Sequence, residues 1–103
     1  MKLKFDRRAV VNHAGLARAV ETQYGLETGS IDIIKLFDSS AKNGSYIPIW
    51  FDGDELDDAQ YELDNAVEFH AEWVEESQKR LSVLTYLADV FPDDCMVFAY
   101  VWW

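Results

Sequence analysis

Charged and apolar residues alternate over Lys2–Phe5, the period of a short half-buried strand. Asp6 then stands where a helix N-cap would, before a run to about Tyr24. Its apolar positions Val10, Ala14, Ala17 and Val20, with Val11 beside them, recur at the three-to-four spacing of one helix face. Gly25 is placed to end that helix. Gly15 inside it costs about 1 kcal/mol against Ala, which hints at close packing. Ile31–Phe37 admits two readings: a helix between Ser30 and Asn43-Gly44, or a strand that turns through a loop ending in Asn43-Gly44. The hairpin is the preferred reading, with Tyr46–Phe51 as its return strand and Pro48 confining that strand to an edge or a bulge.

After Gly53, Asp54 opens a long helix. Leu56, Leu63, Val67, His70, Val74, Leu81 and Leu84 fall on one stripe, flanked by Ala59 and Ala66. The pattern runs to about Phe91, with a break near Ser77 that would divide it into two helices. Pro92 stops it, Asp93-Asp94 form a turn, and Met96–Trp103 is a β-prone final strand. Alternation sends Phe98, Tyr100 and Trp102 to one face and Val97, Ala99, Val101 and Trp103 to the other. A strand apolar on both faces belongs at the centre of a sheet covered on both sides, or at a dimer interface. The order β-α-β-β-α-β predicts an α+β fold over residues 1–103 as one domain. It would have a small, largely antiparallel sheet of about four strands, with the acidic helix and an N-terminal helix packed on it.

Charge sharpens this picture. The formal net charge is −10 over 103 residues, unevenly shared: residues 1–50 hold seven Lys/Arg against five Asp/Glu, and residues 51–103 hold two against fourteen. Eleven carboxylates lie between Asp52 and Glu76 with no Lys or Arg among them (Asp52, Asp54, Glu55, Asp57, Asp58, Glu62, Asp64, Glu68, Glu72, Glu75, Glu76). On one continuous helix they would span roughly 38 Å at about one charge per 3.4 Å, the axial spacing of phosphates along one strand of duplex DNA. Like-charge pairs such as Asp54/Asp58, Asp64/Glu68, Glu68/Glu72 and Glu72/Glu76 each cost roughly 0.2–0.5 kcal/mol. Acids in the first turn complement the helix N-terminus, but those from Glu68 to Glu76 do not. Two readings stay open, a solvated face and a functional negative surface. Tyr61, Phe69 and Trp73 lie off the apolar stripe among these acids, either as interface anchors or as the second buried face of a sandwiched helix.

A chain of this sign is repelled by nucleic acids and anionic membranes and attracted to basic proteins. With half of its residues hydrophobic and 15% aromatic it is too apolar for a disordered acidic tail. Cys95 is the only cysteine, so no internal disulfide forms. The start, MKLKFDRR, has no signal-peptide apolar stretch, and no run approaches a membrane span. The expectation is a soluble, cytoplasmic protein.

Catalytic signals are poor. His70-Ala71-Glu72 has the H-x-E of zinc deaminases without the paired cysteines. Asp52-Gly53-Asp54 begins like a calcium loop, but Leu56, Asp57 and Leu63 occupy positions that such a loop gives to a ligand, Gly and Glu. His13 and His70 have no partner identifiable by spacing, Cys95 has no nucleophile signature, and there is no Gly-rich phosphate loop. No catalytic residue, metal or cofactor is assigned.

The stretch Asn43-Gly44-Ser45-Tyr46-Ile47-Pro48-Ile49-Trp50-Phe51-Asp52, followed by an acid-rich helix, resembles a segment of the ArdA antirestriction family over about residues 43–70. The shared pattern is an Asn/Gly turn, a strand ending in Trp-Phe/Ile-Asp, and an acidic helix. The resemblance implies a DNA mimic that occupies the DNA-binding groove of type I restriction enzymes. The chain departs from that family in being shorter, in its helix before the hairpin and in its aromatic final strand.

The expected function is therefore a non-enzymatic inhibitor, of the anti-restriction or anti-CRISPR type carried by phages or mobile elements. Its partner would be a basic nucleic-acid-binding protein or complex, not nucleic acid or membrane directly. The expected contact residues are Asp54, Glu55, Asp58, Glu62, Asp64, Glu68, Glu72, Glu75 and Glu76, with Tyr61, Phe69 and Trp73. The alternatives are an immunity protein or antitoxin that caps a basic nuclease toxin, and a structural module that dimerises through the C-terminal strand.

Overall fold

Asn12, not Asp6, starts the first helix. Its side-chain oxygen accepts the N–H groups of Ala14 and Gly15 at 3.0 Å each, satisfying two donors that a helix N-terminus leaves unpaired. The computed structural model describes residues 7–51, 53–66, 71–91 and 95–102. The alternation at Lys2–Phe5 and the turn at Pro92–Asp94 lie outside those residues.

Arg7–Asn12 is strand β1, and helix α1 is His13–Tyr24. This corrects the expectation of a helix from Arg7. The adjacent Val10 and Val11 are β-branched and suit a pleated surface, and the Asn12 cap settles where helix begins. Gly25 ends α1 in the left-handed region at φ 66°, as its position suggested. A Cβ on Gly15 would meet only Asn12 atoms at 3.8 and 3.9 Å, so Gly15 lies beside the cap and not at a close helix crossing.

The hairpin preferred for Ile31–Phe37 is also overturned. Ile33–Phe37 is a short helix, α2, whose cap Asp32 accepts the Lys35 N–H at 3.2 Å. The capping bond stabilises the helical alternative locally, and Ile31 and Ile33 are buried all the same. Tyr46–Ile49 is strand β2, and its partner is the final strand β3, Cys95–Tyr100. The turn at Gly44 (φ 90°) docks on the end of that strand: Gly44 N–H donates to Val101 O at 2.6 Å, and Val101 N–H to Ser45 O at 2.9 Å.

Three strands in the order β1-β3-β2 form the sheet among the described residues. β3 pairs parallel with β1 and antiparallel with β2. The α+β class holds, while the sheet is mixed and three-stranded where about four largely antiparallel strands were expected. The β-prone C-terminal segment takes the central place and Pro48 lies on an edge strand, as their residue types required.

The long acidic helix is two helices, α3 (Gly53–Ala66) and α4 (Ala71–Val90). Ser77, where a break was expected, is buried within α4. The core gathers Leu16, Ala17 and Val20 of α1, Ile31 and Ile33, Ile47 and Ile49 of β2, Val83, Leu84 and Leu87 of α4, and Val97, Ala99 and Val101. α3 packs along α4 and adds Ala59, with Leu56 against it.

One buried carboxylate organises the segment after α1. Glu21 is 3% exposed, and its Oε2 accepts the N–H groups of Gly29 at 3.0 Å and Ile31 at 2.8 Å. Arg18 lies against the same carboxylate, its Nε 2.6 Å from Oε1. Those bonds hold the 25–31 loop against the core and set the start of α2.

Candidate functional site

The acidic segment does not form the straight 38 Å array that one helix would give. It folds back on itself, so the carboxylates divide between two packed helices. Val67, Glu68, Phe69 and His70 lie outside the described residues. Glu72 and Trp73 are on the first turn of α4, and their side chains lie outside the description.

On α3 the geometry is well defined. Leu56, Ala59 and Leu63 face inward, and with 3.6 residues per turn the opposite side centres on Tyr61. Tyr61 is 70% exposed. The residues one turn away from it are Asp57 and Asp58 before and Asp64 and Asn65 after. Asn65 donates to the Tyr61 carbonyl at 3.1 Å, and Gln60 donates to Asp64 Oδ1 at 3.1 Å. Asp54, Asp57, Asp58, Glu62 and Asp64 are all exposed, and Glu55 is half-buried. From Asp54 to Asp64 these six carboxylates occupy about 15 Å of axis, roughly one charge per 3 Å. Asp54 and Glu55 in the first turn are stabilised by the partial positive charge of the helix N-terminus.

Of the expected surface, Glu62 and Glu75 have cationic partners. Arg80 on α4 donates to Glu62 Oε2 at 3.2 Å, with its guanidinium carbon 5.7 Å from the centre of the Phe37 ring on α2. Lys79 donates to Glu75 Oε1 at 3.0 Å. That hydrogen bond, with the Lys79 charge and more weakly that of Lys35, holds the Glu75 carboxyl below its ordinary value. Glu75 and Glu76 border an open groove of about 510 Å³ beside α2, which Asp32, Lys35 and Lys79 also line. Two ammonium groups there face three carboxylates, so this end of the surface is close to charge balance. The outer face of α3 carries Asp54, Asp57, Asp58 and Asp64, all exposed. Sequence reasoning left Asp57 out of the contact set; its i−4 relation to Tyr61 was the available signal.

His13 has a structural place. Its Nδ1 lies 3.2 Å from the Tyr100 carbonyl oxygen and 3.3 Å from the Trp102 N–H, joining the start of α1 to the end of β3. Among the described residues no three His, Cys, Asp or Glu side chains are grouped to hold a metal ion. No helix of those residues is long and apolar enough to cross a membrane. No family model, curated protein or solved structure matches this chain.

Proposed function

We propose that this protein is a non-enzymatic acidic inhibitor that presents the outer face of α3 to the cationic groove of a nucleic-acid-binding protein. The observation that carries the reading is Tyr61, exposed at the centre of Asp57, Asp58 and Asp64 on a helix braced from behind by α4. Carboxylates at phosphate-like axial spacing occupy Arg and Lys side chains that otherwise hold a nucleic-acid backbone. The aromatic ring adds an anchor at the centre of the charged field. The resemblance of the 43–70 segment to ArdA supports restriction enzymes as the target class; CRISPR effector complexes offer the same chemistry.

The test is capture of partners from host lysate on immobilised protein, with and without excess duplex DNA. A basic nucleic-acid enzyme that DNA displaces is the expected result. A captured partner that DNA leaves in place contradicts mimicry; a basic nuclease toxin held in this way would identify a capping protein instead. Dimerisation by strand addition to β3 has little room, because β3 is hydrogen-bonded on both sides over Val97–Tyr100.

A further inference from the structure

The two edges of the sheet are built differently. β2 carries Pro48, which has no N–H and blunts that edge against further strands. β1 has no proline, and among the described residues its six residues pair only with β3. Its other side therefore presents backbone N–H and C=O groups to whatever lies beside it. Ala9 and Val11 pack inward against the core, while Arg8 and Val10 are exposed on the opposite side. An apolar cavity of about 300 Å³ adjoins the end of this strand. Val11 and Asn12 of β1, Gly15 and Ala19 of α1, and Val90 and Phe91 of α4 line it, and among the described residues it touches no other strand. A free strand edge thus runs beside a pocket on its inward side.

We propose that β1 takes an extended segment of a partner protein as an added strand, with one bulky apolar side chain of that segment in the cavity. In this mode of recognition backbone hydrogen bonds to the edge supply affinity, and pockets for alternate side chains supply selectivity. The register defines the chemistry of the segment. A residue opposite Val11 points inward to the cavity, whose described lining carries no charged side chain. A residue three positions away, opposite Arg8, points outward, and a carboxylate there complements the exposed guanidinium. The segment therefore carries an acid and a bulky aliphatic residue with two residues between them. A second copy does not meet this description, because its own β1 brings another Arg8 and each copy carries −10. A nucleic acid has no peptide backbone to pair with the edge. This inference stands independently of the function proposed for α3.

Fluorescence anisotropy with two labelled hexapeptides tests it: Thr-Glu-Val-Thr-Leu-Thr for parallel and Thr-Leu-Thr-Val-Glu-Thr for antiparallel addition along Arg7–Asn12. One of the two is expected to bind saturably, and at least tenfold more weakly when its Leu is replaced by Ser. N-methylation of one alternate set of peptide residues should abolish binding and of the other set leave it unchanged, because a strand turns alternate N–H groups to opposite edges. Gly15→Leu should fill the cavity and cut affinity at least tenfold. A Cβ at that position meets nothing closer than 3.8 Å and helix propensity rises, so the far-ultraviolet spectrum should be unchanged. The peptide variants keep the test valid if Gly15→Leu misfolds. Arg8→Glu should weaken binding several-fold, and Tyr61→Ser should not. Failure of both peptides to bind up to about 1 mM overturns the proposal. So does binding that folded Gly15→Leu retains, or binding indifferent to both N-methylated sets, which would mean capture of an apolar side chain without strand pairing. Self-association of the wild type that Gly15→Leu abolishes would make a second copy the occupant and equally overturns it.

Discussion

Arg80 on α4 donates to Glu62 on α3 at 3.2 Å, the ion pair that joins the acidic helix to its support. Both side chains are about a third or more exposed (34% and 47%), so the pair alone contributes only about 0.2–1 kcal/mol. The Arg80 guanidinium also stands over the Phe37 ring, 5.7 Å from its centre. Glu62→Gln is therefore expected to cost at most about 0.5 kcal/mol, and Arg80→Ala about 1–2 kcal/mol, in urea unfolding. Equal losses would mean that the ion pair carries the whole effect and the Phe37 contact none.

Glu21 is a second determinant of stability. Truncating it to Ala would leave the buried Ile31 N–H without its acceptor and free the loop that sets α2. An orphaned buried donor costs about 1–3 kcal/mol, and the loss of the Gly29 and Arg18 contacts adds to it. Urea unfolding of Glu21→Ala should show a loss of about 3 kcal/mol. A loss under about 1 kcal/mol would show that the loop is held by other contacts.

Tyr24 adds a modest alkaline pH dependence to stability. Partial desolvation of the ring, which is still 38% exposed, and then the charges of Asp89 and Tyr86, raise its pKa above the ordinary 10.0. A group whose pKa is raised on folding contributes stability that is complete below its unfolded value and lost as pH rises through its folded value. Stability should therefore fall as pH climbs past 10.0, and less steeply in Tyr24→Phe. The difference in phenolate absorbance between the two proteins should titrate above 10.0. A component that titrates at or below that value would contradict the environment described for the ring.

Much of this was legible in the chain. The α+β class, the stop at Gly25, the edge position of Pro48 and the central place of the aromatic C-terminal strand follow from backbone chemistry and alternation. The errors arose where two periods coexist. Val10 and Val11 satisfy a helical spacing and also strand propensity, and the tertiary pairing of β1 with β3 decided between them. At Ile31–Phe37 two buried isoleucines suit either element, and one side-chain cap at Asp32 tipped the balance. The division of the acidic stretch was anticipated but misplaced, because the apolar stripe runs through Val67 and His70 without interruption. Neutralisation of Glu62 by Arg80 joins residues eighteen apart in sequence, which no local pattern reveals. The Glu75–Lys79 pair was legible as an i,i+4 spacing.

Tyr61 should act in binding and not in folding. At 70% exposure, Tyr61→Ala is expected to change stability by no more than about 0.5 kcal/mol. As the centre of an interface it should cost about 2 kcal/mol of affinity for the captured partner, roughly thirtyfold. Calorimetric titration of that partner measures this directly, and an unchanged affinity would place the contact elsewhere.

The decisive measurement is the affinity of the captured partner for the wild type and for the isosteric triple variant Asp57→Asn, Asp58→Asn, Asp64→Asn, over a series of salt concentrations. These substitutions remove three charges and keep side-chain shape, at exposed positions where the fold is indifferent. Wild-type binding should weaken steeply with salt, and the variant should bind at least tenfold more weakly at low salt with a shallower salt dependence. Equal affinity of the two proteins at every salt concentration would show that the α3 carboxylates are a solvated face and not the recognition surface.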